Sequence, residues 1–209
     1  MDIIDEIDLQ TGDLVLFTGN TMISRIIQYF QHNKFSHVGI IIKNPKFLDP
    51  SLEDGLYLLE SGFEPIGNRT YGVQLHLLED ILKLCSKGTV YTRKVVCERN
   101  TDFYEKFSTI YQQIKDIPYD INIFDWIAAT FKLDYNLSDN ANYFKIFNIR
   151  IPIPFRKTNH FWCSSMTAYV FCKLGLIDEN INWTLISPSE FDNSSIQFLC
   201  QINPKKILF

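Results

Sequence analysis

Apolar residues recur along the chain in two rhythms, and the rhythm changes where glycine, proline or asparagine intervenes. Gly12-Asp13 opens a strand, Leu14-Val15-Leu16-Phe17. Thr18-Gly19-Asn20 leads into a helix whose apolar rows, Met22/Ile26/Phe30 and Ile23/Ile27, have the i, i+4 spacing of one amphipathic face. The run Ser36 to Ile42 reads as the next strand. A loop carrying Asn44, Pro45, Asp49, Pro50 and Gly55 separates it from the strand Leu56-Tyr57-Leu58-Leu59-Glu60. Val73-Gln74-Leu75 and Thr89-Val90-Tyr91 read as further strands, with a short helix near Leu78 to Leu84 between them. Helical spacing predicts helices over Asp102 to Lys115, ahead of Pro118, and over Ile121 to Phe131.

Lys132 to Phe155 follows neither rhythm cleanly. Ile149, Ile151 and Ile153 alternate, but Pro152 and Pro154 lack the N–H that a ladder needs, so the segment reads as an extended edge or an aromatic-rich loop. Trp162 to Leu174 is a strong helix, stopped by Gly175 where a C-terminal cap favours glycine. Ser187-Pro188-Ser189-Glu190-Phe191 starts a one-turn helix, and Lys206 to Phe209 adds a last short strand. With strands gathered early and the major helix late, the class is α+β. No repeat, charge block or Gly/Ser-rich linker interrupts the pattern, so we expect one domain over 1–209 with an aromatic-rich insertion at about 132–155.

Composition adds further constraints. At 46% hydrophobic and 14% aromatic, the chain has ample material for a packed core. Its 27 Ile against 4 Ala lean that core toward sheet, and Ile, Asn, Phe, Tyr and Lys also share AT-rich codons, as in the genome of a large DNA virus or another AT-rich genome. A net charge of −4, with the basic residues scattered, argues against a nucleic-acid partner held by phosphate neutralisation. No apolar run approaches the ~20 residues of a membrane span. The acidic start, Met1 to Glu6, is unlike a secretory signal, so a reducing, cytoplasmic compartment is expected. Five cysteines, an odd number without a CxxC pair, suit neither a disulfide framework nor a zinc site; no cofactor and no metal are expected.

Three positions then carry candidate chemistry: His37 beginning a strand, Glu60 ending the next, and Cys163 in the first turn of the late helix. A helix N-terminus favours a thiolate, an imidazole completes the ion pair or acts as base, and a polar group on the second ring nitrogen orients the ring. At ~100° per residue, Thr167, Val170 and Leu174 share the face of Cys163, whereas Cys172 falls opposite. Ser164 and Ser165 keep the first turn thin, and Gly39 removes a side chain where a helix end would approach the strand. Pairing Ile42 with Gly55 sets His37 directly opposite Glu60, whereas a slip of one residue turns Glu60 to the other face. The bland readings stand beside these. A cysteine in an apolar helix is ordinarily a small buried hydrophobe, and a strand-end Glu is ordinarily solvated. Cys85, Cys97, Cys172 and Cys200 read as structural, the last two as core. His160, three residues before Cys163, is a rival imidazole and a conceivable zinc partner of His37, though no second ligand pair exists.

Six short motifs in fixed order carry a family resemblance: Gly12-Asp13-Leu14-Val15, Phe35-Ser36-His37-Val38-Gly39-Ile40, Leu59-Glu60-Ser61, Ile117-Pro118-Tyr119-Asp120, Trp162-Cys163-Ser164-Ser165 and Ser187-Pro188-Ser189-Glu190-Phe191. The chain resembles the circularly permuted branch of the NlpC superfamily of papain-like cysteine hydrolases, most of all its YiiX-like and poxviral members. The resemblance implies a small antiparallel sheet or partial barrel packed against the helix that bears the nucleophile. It makes Cys163 that nucleophile, His37 its imidazole and Glu60 the third polar group. Tyr119 is then the residue whose hydroxyl lies near the sulfur, and the Cys163 N–H a second oxyanion donor. The implied activity is a peptidase or amidase. The same machinery on acyl-lipid esters or thioesters, as in the lecithin retinol acyltransferase relatives, is the alternative, motivated by Tyr143, Phe144, Phe147 and Phe155. Those relatives carry a different context around their cysteine. A silent binding or virion-structural module is the reading of another class. Substrate candidates are therefore a peptide, an amide or an acyl lipid; the sequence says nothing of oligomeric state.

Overall fold

The runs Leu14–Phe17 and His37–Lys43 are apolar without alternation because both of their faces are covered. The structure, a computed structural model, describes residues 8–18, 34–62, 72–120, 143–146, 149–152, 156–193 and 196–209. The helices expected over Met22 to Phe30 and Ile121 to Phe131 lie outside the described residues, as do residues 132–142, 147–148 and 153–155 of the expected insertion. In chain order the elements are β1 (Leu14–Phe17), β2 (His37–Lys43), β3 (Leu56–Gly62), β4 (Gly72–Leu77), α1 (Leu78–Leu82), β5 (Val90–Arg93) and β6 (Val95–Val96). There follow α2 (Thr101–Ile114), β7 (Tyr143–Ile146), β8 (Ile149–Pro152), α3 (Cys163–Lys173), α4 (Glu190–Asn193), β9 (Gln201–Ile202) and β10 (Lys206–Ile207).

Six strands form one antiparallel sheet in the order β10-β5-β1-β2-β3-β4, which makes the class α+β. One face packs Leu14, Leu16, Val38, Ile40 and Leu59 against Phe103 and Phe107 of α2 and Met166 and Val170 of α3. The other packs Val15, Phe17, Ile41 and Leu58 against Leu78, Ile81 and Leu82 of α1. Burying each such side chain fully stabilises the fold by roughly 1.5–3 kcal/mol, so these two faces hold the sheet in place. Gly12-Asp13 proves to be a tie within this core. The buried Asp13 accepts from the N–H groups of Gln10 and Val95 (2.9 Å each) and from Arg99 Nη2 (3.0 Å).

The β2–β3 register corrects the expected one by two residues: Ile42 faces Tyr57 and Ile40 faces Leu59. The cause is the connecting loop. Asn44 donates its N–H to Gly55 O (2.8 Å) and accepts the Gly55 N–H on Oδ1 (3.1 Å), so β2 runs on through Lys43 before the chain turns. An even shift leaves every side chain on its face. Tyr143–Ile146 and Ile149–Pro152 pair as a hairpin, with Pro152 at its end, so part of the segment expected as an edge or loop is a separate two-stranded sheet.

The helix α3 is buried from Cys163 to Cys172, and it ends as the sequence suggests. Gly175 stands at φ +71°, Leu176 N–H donates to Phe171 O (2.9 Å) and Gly175 N–H to Cys172 O (3.0 Å), a Schellman closure. Gly72 does a different job. Its φ is +128°, and a Cβ there would lie 2.2 Å from Ile117 O, beside the bond that Val73 N–H makes to that oxygen (2.8 Å). The close approach brings the 117–120 segment onto β4. We therefore expect Gly72→Ala to cost roughly 3 kcal/mol or more, from clash and backbone strain together. Gly175→Ala, open on all sides, should cost only about 1–2 kcal/mol from its left-handed conformation. Denaturant unfolding of both variants checks this, and equal losses would refute the steric role of Gly72.

Candidate active site

Cys163 occupies the first position of α3, after Trp162 in extended conformation. The N–H groups of a helix's first turn have no partner within the helix, and their partial positive charge favours an anion. The hydroxyls of this turn bond backbone instead of opening it to water. Ser164 Oγ donates to Ile186 O (2.6 Å), Ser165 Oγ to Trp162 O (3.0 Å) and Thr167 Oγ1 to Cys163 O (3.0 Å), while Trp162 N–H donates to Ser165 Oγ (3.0 Å).

Two attachments fix where this helix begins. Ser61 Oγ donates to Phe161 O (2.6 Å), tying the residue pair before Cys163 to the end of β3. Asp120 N–H donates to Phe161 O and Phe161 N–H to Pro118 O (3.1 Å each), so Tyr119 runs parallel to Phe161. Tyr119 and Trp162 pack together with Leu185 beside them. The segment anchored by Gly72 thus delivers Tyr119 to the start of α3.

His37 opens β2 at the same end of the sheet. Its Nε2 bonds Glu60 Oε2, which leaves Nδ1 as the nitrogen for the thiol. The two-residue register change makes this contact diagonal rather than directly opposite, with both residues still on one face. Phe17 packs on the ring, with centroids 5.5 Å apart. Burial alone would push the imidazole pKa down. The Cys163 sulfur and the Glu60 carboxylate, by charge and by hydrogen bond, outweigh it and hold His37 well above its ordinary value. His37 keeps 26% of its side chain exposed, whereas Cys163 is 3% and Glu60 6% exposed. The imidazole is therefore the member of the group that solvent or a ligand meets first.

Tyr119 lies close enough to feel the same charges. Burial, then Cys163, Asp120 and Glu60, push its phenol well above the ordinary value, so it keeps its proton as a donor at neutral pH. The structure thus brings Cys163, His37, Glu60 and Tyr119 together. It also adds His76, which the sequence pattern did not single out: its Nε2 lies 3.4 Å from Glu60 Oε1. The signal was alternation on β4. Reading that strand two residues further would have put His76 on the face of Gln74, the residue that pairs with Glu60.

Other candidates separate from the cluster. His160 is exposed. Gly39 is needed for a different neighbour than expected: a Cβ there would lie 2.8 Å from Leu58 Cδ1 and 3.0 Å from Leu59 O, on the adjacent strand rather than the helix. Burial pushes the Cys172 thiol up to about 11 and raises Cys85, Cys97 and Cys200 as well. Cys172 is buried, but Cys200, expected in the core, is only half-buried. Ser187-Pro188-Ser189-Glu190-Phe191 has a structural use, since Glu190 Oε2 accepts the Ser187 N–H (2.7 Å) and Phe191 is buried against Phe171. Among the described residues no three His, Cys, Asp or Glu side chains converge in a way that would hold a metal ion. No helix among them is long and apolar enough to cross a membrane.

No protein-family model and no curated protein matches the chain. Among solved structures it is similar to the metalloprotein YiiX of Escherichia coli O157:H7, with 16% identity and a TM-score of 0.52 over 96% of this chain and 89% of that one. The likeness is one of fold.

The charges on both sides of the His37 ring have a measurable consequence. Its carbon-bound protons should titrate in NMR well above the ~6.5 of a free histidine. Cys163→Ser and Glu60→Gln should each move that midpoint down. A midpoint that neither variant moves would refute the electrostatic arrangement.

Proposed function

We propose that this protein is a cysteine hydrolase of the peptidase or amidase type, built on a permuted papain-like arrangement. The observation that carries the reading is one imidazole bonded to a buried carboxylate and facing a cysteine at the start of a buried helix. The fold likeness to YiiX supports the architecture; that protein is called a metalloprotein, and the described residues here do not converge as metal ligands.

In this mechanism the Cys163 thiolate attacks a carbonyl carbon, forming a C–S bond and an oxyanion. The Tyr119 hydroxyl and the Cys163 N–H supply donors for that oxygen. Collapse breaks the bond to the leaving amine, which takes its proton from His37 Nδ1. The neutral imidazole then removes a proton from water, whose oxygen attacks the thioester. The second collapse breaks the C–S bond, releases the acid and returns the proton to the Cys163–His37 pair. Glu60 holds the ring and stabilises its cation throughout. An ester or thioester of an acyl lipid would pass through the same steps, so substrate panels must include both classes.

At neutral pH, iodoacetamide followed by mass spectrometry should label Cys163, which faces an imidazole at a helix start, faster than Cys172, whose thiol burial pushes up to about 11, by at least about a hundredfold. Cys163→Ala should abolish turnover on whichever peptide-amide or acyl-ester substrate responds. Tyr119→Phe should lower kcat by about 10–100-fold if its hydroxyl serves the oxyanion. Undiminished turnover by Cys163→Ala would overturn the mechanism, and a Cys163 no more reactive than Cys172 would favour a binding module without turnover.

A further inference from the structure

We infer that His76 is a positioning residue for this site, acting through Glu60; the inference rests on the hydrolase reading above. His76 sits on β4 with 0% exposure. Its Nε2 is 3.4 Å from Glu60 Oε1, and neither ring nitrogen has an aligned hydrogen-bond partner among the described residues. A buried imidazole in that condition is costly. Burial is tolerable if the ring is neutral and turns its Nε2–H toward the carboxylate, a bond that tightens when the site is occupied.

The two carboxylate oxygens then have separate tasks. Oε2 holds His37, and Oε1 is left for His76. The Gln74 amide nitrogen belongs to the same cluster: it too is buried without a partner among the described residues, on the residue paired with Glu60. A Cβ at Gly62 would lie 2.9 Å from that nitrogen and 3.6 Å from Oε1, so both atoms border the space this glycine leaves open. A second donor on Oε1 fixes the rotation of the carboxylate, which keeps Oε2 on His37.

Among the described residues, the other groups around His76 do not offer a rival partner. On β3, Leu58 stands directly opposite His76 and Glu60 is its diagonal neighbour on the same face, with His37, Tyr119 and Cys163 beyond the carboxylate. The helix α1 turns Leu78, Ile81 and Leu82 inward, while its Glu79 and Asp80 pair with Lys83 in solvent. Cys85, after that helix, feels Glu60 at a distance. A positively charged His76 would put two cations on one carboxylate, so the neutral donor is the state the surroundings support.

The test uses the full chain with His76→Leu, which removes the donor, and His76→Gln, which offers an amide donor in its place. His76→Asn, too short to reach Oε1, replaces the leucine variant if that does not fold. In each, the pH profile of Cys163 alkylation by iodoacetamide and the His37 NMR titration are measured beside denaturant unfolding. We expect His76→Leu to lower the His37 midpoint and to slow Cys163 alkylation at pH 6 by about tenfold. His76→Gln should recover most of both. A loss of stability with an unmoved His37 midpoint and an unchanged alkylation profile would reduce His76 to a packing residue and overturn the inference. If wild-type Cys163 is not selectively alkylated, the hydrolase reading fails instead; the His37 titration still reports separately whether His76 acts on Glu60.

Discussion

Glu60 is a carboxylate placed where water scarcely reaches, and much of the site follows from satisfying it. A buried charge persists only when it is paired and hydrogen-bonded. Its neighbours, His37 on β2 and His76 on β4, come from the two strands that flank β3. Strand register therefore sets the geometry of the site as well as the packing. Leu58 and Leu59 lie in different cores, yet as two leucines they do little to forbid a slip of one residue. Glu60 and Ser61 do forbid it. In the observed register Ser61 bonds the carbonyl of Phe161 while Glu60 meets His37. A one-residue slip would exchange their faces, leaving a carboxylate against the apolar side of α2 and α3.

The same end of the sheet gathers segments that are far apart in sequence. β2 begins there with His37 and β3 ends there with Gly62. The 117–120 segment is fastened by Val73 N–H, and the entry to α3 by Ser61. Each fastening is a short bond from sheet to loop, so the loop residues Tyr119 and Trp162 inherit the rigidity of the strands. This explains why the order of His, Glu and Cys along the chain has no bearing on the chemistry: the sheet end, not the connectivity, sets their spacing.

The elements themselves were legible because burial leaves a period in the sequence. Leu14–Phe17, His37–Lys43 and Cys163–Lys173 appear where apolar runs or helical rows put them, and Gly175 closes α3 as its position suggests. The positions of Cys163, His37 and Glu60 could be singled out from residue type and place within an element. What periodicity does not encode is the pairing offset between strands. That offset was set by Asn44, whose backbone and side chain both close on Gly55, and nothing in the apolar pattern of β2 marks it. His76 escaped for a related reason. It stands two residues from the start of α1, where strand and helix patterns overlap, so the alternation that places it beside Glu60 was cut short.

The hydroxyls at the start of α3 show how packing and chemistry constrain one another. A helix buried on all sides would ordinarily be apolar throughout, yet Ser164, Ser165 and Thr167 are buried in its first turns. Alanines would pack there with less polar surface to satisfy. They would also leave Ile186 O without its donor and the Trp162 N–H without its acceptor, at the point where the helix must begin. The serines fix the first turn by bonding backbone on both sides of it, and they do so without bulk that would push the sheet away. Cys163 gains a defined position from neighbours that do no chemistry. That position is what lets one imidazole meet a sulfur and a carboxylate together, and the favourable charge on both sides is what overcomes the cost of burying the ring.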